Sequence, residues 1–153
     1  VTQQQKPFAY HHGSIAIPAS SGFVNAGIRT TYFNTIDLIR AYDLMRVKPG
    51  QEAWISDEFS QKTWKFVIDE NGYPRDPQLF AEEGEAGVAV DAAGRVYIAA
   101  GQVLVFDSAG QAVDTIRTPE RPTGLLIARE GEREFLYILA RSSLYRIAIP
   151  SLG

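Results

Sequence analysis

EAGVAVDAAGRVYIAAGQVLVFDSAGQAVDTIRTPERP, residues 85–122, decides the fold. It reads as short β-runs separated by tight turns: Val88-Ala89-Val90, Val96-Tyr97-Ile98-Ala99, Val103-Leu104-Val105-Phe106 and Val113-Asp114-Thr115-Ile116. Gly94, Gly101 and Asp107-Ser108-Ala109-Gly110 punctuate the runs at short, regular intervals, and Pro119 closes the unit. β-Branched and aromatic residues between such turns predict an all-β protein, as a sandwich, a barrel or a propeller.

Working outward, the same order restarts after Pro122. Leu125–Ala128, a charged turn over 129–134, Phe135–Ile138 and Ser143–Ile147 make three strands, and Gly153 is reached without a fourth. Upstream, Leu44–Val47, a turn at Lys48-Pro49-Gly50-Gln51, Ala53–Ser56 and Thr63–Ile68 follow the same plan. Asp69-Glu70-Asn71-Gly72 is a hairpin turn, because Asn-Gly suits left-handed backbone. Gln78–Phe80 is a short outer strand. Residues 34–47 fit either a helix capped by Thr35 or strands, and their second half favours strand. Ser14–Ile17 is a β-like run opened by His11-His12-Gly13. Val1–Pro7 is a polar lead-in that could also supply the outer strand missing from the last unit.

The repeat selects among the architectures. LMRVKPGQEAWISDE, VAVDAAGRVYIAAG and LLIAREGEREFLYILAR share one order: strand, charged or Gly-containing turn, strand ending in small or acidic residues. Tyr42, Ala86 and Thr123 are equivalent starting points, 44 (86 − 42) and 37 (123 − 86) residues apart. Four-stranded units with periods of about 40 to 45 residues are propeller blades. A sandwich has no reason to repeat the order. The expected organisation is one partial propeller domain over 1–153: an irregular first blade over 1–43, blades over 44–84 and 85–121, and a last blade over 122–153 without its outer strand. Three to three and a half blades leave a ring open and its edges unpaired. The expected partner is therefore the rest of a propeller upstream, or another copy of the chain.

Composition narrows the function. The 153 residues fit one domain. A net charge of −3 and a pI near 5.4 give no electrostatic footprint for nucleic acid. No apolar run is long enough to span a membrane as a helix. The absence of cysteine removes disulfides, Cys-ligated zinc and thiol chemistry. Composition leaves the compartment open; the reading is of a soluble protein, leaning towards an extracytoplasmic one. A start at Val1 rather than Met is expected of a processed product or a fragment.

With the repeat in view, AGVAVDAAGRVYIA, QVLVFDSAGQAVDTI, PERPTGLLIA and LYILARSSLYRI resemble the C-terminal blades of the regucalcin/gluconolactonase-like family, and WISDEFSQKTWKFVIDENG resembles the preceding blade. The resemblance covers residues 44–149 and rests on consecutive order, since each piece alone is loose. It implies a six-bladed propeller and hydrolysis of sugar lactones by a divalent metal that carboxylates and Asn hold over the pore. It implies too that those ligands start inner strands. At the corresponding triplets this chain reads His12-Gly13-Ser14, Tyr42-Asp43-Leu44, Ala86-Gly87-Val88 and Thr123-Gly124-Leu125. Tyr42 stands where the family carries Asn, and Ala86 where it carries the catalytic Asp. A hard cation wants several oxygen ligands, so the family's activity does not carry over onto these positions.

The remaining candidates lie near inner-strand starts. His12, Glu83 and Glu85 are candidate ligands for a divalent cation, calcium or zinc; the competing reading of Glu82, Glu83 and Glu85 is a solvated acidic loop. Arg40, Tyr42, Asp43, Arg121 and Thr123 are candidates for contacting a small sugar-like or anionic ligand at the pore mouth, although Arg121 also suits a role on loop carbonyls. Asp57-Glu58 reads as turn acids. Trp54, Trp64, Phe66, Tyr97, Phe106 and Tyr137 read as inter-blade core. The function expected is a binding or assembly module, the C-terminal part of a gluconolactonase-like propeller without catalysis on its own. The alternative is a metal-dependent lactone hydrolase whose other ligands lie upstream or in a partner copy.

Overall fold

Three turns of identical sequence logic set the rhythm of the chain. In Asp69-Glu70-Asn71-Gly72, Asp91-Ala92-Ala93-Gly94 and Asp107-Ser108-Ala109-Gly110, the aspartate carboxylate accepts the backbone N–H groups two and four residues on. The glycine then takes a φ of 80 to 84°, which a side chain would strain. Each loop reverses the chain tightly and feeds the next strand.

A computed structural model describes residues 48–150 fully, together with the backbone of three short strands before them. These are β1 (Tyr10–His11), β2 (Ser14–Ile15) and β3 (Ala41–Leu44). They are followed by β4 (Glu52–Asp57), β5 (Lys62–Ile68), β6 (Pro74–Ala81), β7 (Val88–Val90) and β8 (Val96–Ala100). The rest are β9 (Gln102–Phe106), β10 (Ala112–Ile116), β11 (Pro122–Glu130), β12 (Arg133–Ala140) and β13 (Leu144–Ala148). β1 and β2 pair as a two-stranded ribbon. The others form three antiparallel meanders in the orders β3-β4-β5-β6, β7-β8-β9-β10 and β11-β12-β13. The described residues contain no helix, and so none long and apolar enough to cross a membrane. The architecture is all-β, as the turn spacing predicts, and its sheets are propeller blades in succession.

The middle sheet is covered on both faces, and its alternation shows how. Along β8, Val96 and Ile98 point one way and Tyr97 the other, as a period of two requires. Val88, Val96, Ile98 and Phe106 pack with Trp54 and Ala81 of the first sheet. Ala89, Tyr97, Val103 and Val105 pack with Leu136 and Ile138 of the third. Phe80 bridges the first of these layers, with its ring edge-on to Trp54 and to Phe106 at centroid distances of 6.0 and 5.9 Å.

Trp54, Phe66, Tyr97 and Phe106 are core residues, as the sequence predicts. Tyr137 and Trp64 are not: both are only half-buried. Tyr137 lies on the outward face of the third sheet and donates its hydroxyl to Glu130. The outer strand of the first sheet is longer than Gln78–Phe80, beginning at Pro74. It continues past a register irregularity near Asp76, a non-glycine residue at φ 51°, to pair Arg75 with Val67 and Pro74 with Ile68.

Candidate functional site

The three positions that the repeat makes equivalent share a backbone irregularity. In the first sheet Ala41 faces Asp57 and Asp43 faces Ser56, so Tyr42 is an extra residue in the ladder. In the third, Pro122 faces Ala140 and Gly124 faces Leu139, so Thr123 is extra. In the middle sheet Ala86 N–H donates to the Ala99 carbonyl while the Gly87 carbonyl accepts from Ala99 N–H. There Ala86 and Gly87 oppose one residue. Each is a β-bulge, which bends the strand, re-aims its side chain and recurs beside functional sites. The bulges sit at one end of the sheets, where inner strands start. At Ala86 the re-aimed side chain is a buried methyl group. At Thr123 it is a hydroxyl that donates to the Leu139 carbonyl at 3.3 Å.

Glu85, one residue before the middle bulge, binds all three sheets. Its backbone N–H donates to Ser56 Oγ of the first sheet at 2.8 Å. One carboxylate oxygen accepts the Gly101 N–H of its own sheet at 2.8 Å. The other accepts Arg121 Nε, from the entry to the third sheet, at 2.6 Å. The Glu85 carboxylate, bonded and close by, holds the Arg121 guanidinium above its usual pKa, with Glu58 adding to the attraction. Glu83 contributes through its backbone: its carbonyl accepts the Thr63 hydroxyl at 2.7 Å, while its side chain is exposed. Arg121 binds a carboxylate where loop carbonyls were its alternative partners. The sequence could not show this pair, because the two residues are 36 apart and meet only once the sheets pack.

Two glycines make this close meeting possible. A Cβ on Gly87 would lie 2.6 Å from the Leu125 backbone nitrogen, so the inner strands of the second and third sheets touch main chain to main chain. A Cβ on Gly84 would strike the Lys62 carbonyl. Neither position needs positive φ; both need the absence of a side chain.

Asp57 is fully buried and accepts the Phe59 and Ser60 N–H groups, the turn role its sequence context suggests. Beyond Arg121, Glu120 accepts both the hydroxyl and the N–H of Ser142. Those bonds, the hydroxyl's first, hold its carboxyl below the usual range. His12 and Arg40 lie outside the described residues, and for Tyr42 and Asp43 only the backbone is described. The structure therefore brings Glu85, Arg121 and Thr123 to one end of the sheets, with Glu83 beside them. Among the described residues no three His, Cys, Asp or Glu side chains are grouped to hold a metal ion.

The successive antiparallel meanders superpose on solved structures of other proteins. A calcium-binding regucalcin from Agrobacterium tumefaciens matches with a TM-score of 0.62 at 19% identity, over 82% of this chain and 43% of its own. A gluconolactonase from Xanthomonas campestris matches with a TM-score of 0.59 at 25% identity, over 75% of this chain and 40% of its own. The fold is part of a regucalcin/gluconolactonase-like β-propeller. This chain spans about two fifths of the length of those structures. No family model and no curated protein matches the sequence. The likeness is thus one of fold.

The cation that such a propeller implies can be tested against the donors described here. Glu85 has one oxygen in an ion pair with a guanidinium and the other on a backbone N–H. A cation there would have to displace Arg121 and tolerate its charge nearby. Ala86 has no side-chain donor. These residues do not fit a hard cation, which wants six or more oxygen ligands.

Proposed function

We propose that this chain supplies blades to a gluconolactonase-like propeller as a binding or assembly module and performs no catalysis on its own. One observation carries this reading: the Glu85 carboxylate is committed on both oxygens to holding sheets together, beside a bulge that presents the Ala86 methyl group. Lactone hydrolysis needs a base to activate water and an acid to polarise the carbonyl. The carboxylates of Asp57, Glu85 and Glu120 accept structural donors instead. Arg121, whose side chain is 64% exposed, together with Thr123 leaves a small polar surface suited to a sugar-like or anionic ligand.

The second reading, a metal-dependent lactone hydrolase, is favoured by the names of the two similar structures, one a calcium-binding protein and one a gluconolactonase. It would draw its ligands from His12 and Glu83, and the rest from upstream sequence or from a partner copy. Calorimetric titration of the purified chain with calcium and with zinc, run beside a sugar-lactone hydrolysis assay, separates the two. The module reading expects no saturable heat and no turnover above the uncatalysed rate. Tight metal binding with turnover would establish the hydrolase instead.

A further inference from the structure

A cavity of about 250 Å³ lies between the middle and third sheets. It sits between two turns, Asp91-Ala92-Ala93-Gly94 joining β7 to β8 and Gly131-Glu132 joining β11 to β12. The inner strands β7 and β11 start at the bulges, so these turns mark the opposite end of the sheets from Glu85 and Arg121. The third sheet's inward rows are apolar until this end, where the last one is Arg129–Glu134. Opposite charges facing each other across a ladder attract, yet these two do not close on each other. Glu134 instead accepts the Ala92 N–H of the middle sheet at 3.1 Å. Arg75, Arg95, Arg121 and Arg146 each hold a carboxylate at 2.6 to 2.9 Å. Arg129 and Arg133, both on the cavity, hold none among the described residues. With 18 acidic residues against 15 basic ones in the chain, that is no shortage of partners.

The charges around the cavity balance: Arg95 against Asp91, and Arg129 and Arg133 against Glu132 and Glu134. Directed donors, not net charge, must therefore do the binding. Arg95 donates its Nε to Asp91 and one Nη to the Pro150 carbonyl, which leaves the other Nη in no described bond. Burial opposes the Arg95 charge, yet its bond to Asp91 holds the guanidinium above its usual pKa, and the nearby Glu134 carboxylate adds to the attraction. A backbone N–H and an arginine at this wall thus already receive an oxyanion, supplied by the chain itself. Guanidinium forks match carboxylate and phosphate oxygens alike. We infer that the cavity binds a small molecule through one oxyanion group, a carboxylate or a phosphate. That group takes the place of Glu134 beside the Ala92 N–H and Arg95, and Arg129 clasps it from the third sheet. The volume falls below the roughly 300 to 1,000 Å³ of pockets for drug-sized ligands, so the molecule carries few atoms beyond that group. The site stands apart from the proposed function and does not depend on it.

The test is titration of the 153-residue chain with inorganic phosphate and, separately, with succinate, at constant ionic strength. Backbone amide resonances report it, that of Ala92 above all. A saturable shift at Ala92 with either probe is expected, and the probe that saturates names the oxyanion. Arg129→Gln should weaken that binding about tenfold. Glu134→Gln should tighten it severalfold, because the competing carboxylate is gone. Arg117→Gln removes the same charge at the other end of the sheets and should leave the affinity unchanged. Circular dichroism checks that each variant keeps its sheets. Shifts that never saturate with either probe overturn the inference. So does an equal loss in Arg117→Gln and Arg129→Gln, which would mean attraction by bulk charge alone. Weaker binding in Glu134→Gln overturns it too, since Glu134 would then be a strut of the cavity and not the group a ligand replaces.

Discussion

Asp69 and Asp91 head the same turn in different surroundings. Both accept two backbone N–H groups through one oxygen, and both take an arginine Nε on the other, Arg75 at 2.9 Å and Arg95 at 2.6 Å. The Asp69–Arg75 pair is open to water, its side chains 24% and 59% exposed. The Asp91 side chain is fully buried, and it also accepts the Tyr97 hydroxyl at 2.9 Å. Asp107 heads a third copy of the turn, with neither an arginine nor a tyrosine on its carboxylate in any described bond. The difference teaches that a local motif closes a hairpin wherever it stands, but becomes a tie between sheets only when the core covers it. Around Asp91 the tie extends outward: Arg95 donates to the Pro150 carbonyl, and Ala92 N–H donates to Glu134.

Asp91→Ala leaves a partly buried guanidinium and a buried phenol without their acceptor; it should cost about 3 kcal/mol or more, read as a fall in the denaturant midpoint. A loss no larger than that of Asp107→Ala would break the comparison. Tyr97→Phe removes one donor and keeps the ring in the core, so a loss of about 1 to 3 kcal/mol is expected in the same measurement. Burial raises the Tyr97 phenol above its usual pKa, helped by its bond to the Asp91 carboxylate. It should therefore show no ultraviolet ionisation near pH 10 while the protein stays folded. Arg75→Ala removes only a surface partner and should cost less than about 1 kcal/mol.

The smallest effect is in pH. The Tyr73 N–H, followed by the Arg75 side chain, lowers the Asp69 pKa below its ordinary 3.8. Its contribution is then present above about pH 4 and lost as pH falls through the lowered folded value. Asp69→Asn should flatten that part of the acid limb of stability, and an unchanged limb would show that the exposed pair contributes nothing.

What was legible in the sequence followed the local chemistry. Gly72, Gly94, Gly101 and Gly110 all take the positive φ expected of their turns. The 44- and 37-residue spacing of Tyr42, Ala86 and Thr123 picked out the residues that bulge. Non-local chemistry was hidden. Nothing within a few residues of Glu85 announces Arg121, and the acidic sequence around it reads equally as a solvated loop or as cation ligands. Tyr137 has the same strand context as Tyr97, yet among the described residues only Tyr97 has a sheet packed over it. Gln61, at φ 53°, sits in a turn with no glycine at that position to signal it.

Gly87 has a consequence for tracing ancestry. Where two main chains touch, any change to another residue forces the strands apart, whereas the acids and aromatics around them can drift. Relatives too divergent for ordinary alignment should be brought into frame by anchoring them on a glycine at this close approach, and then counting strands outward.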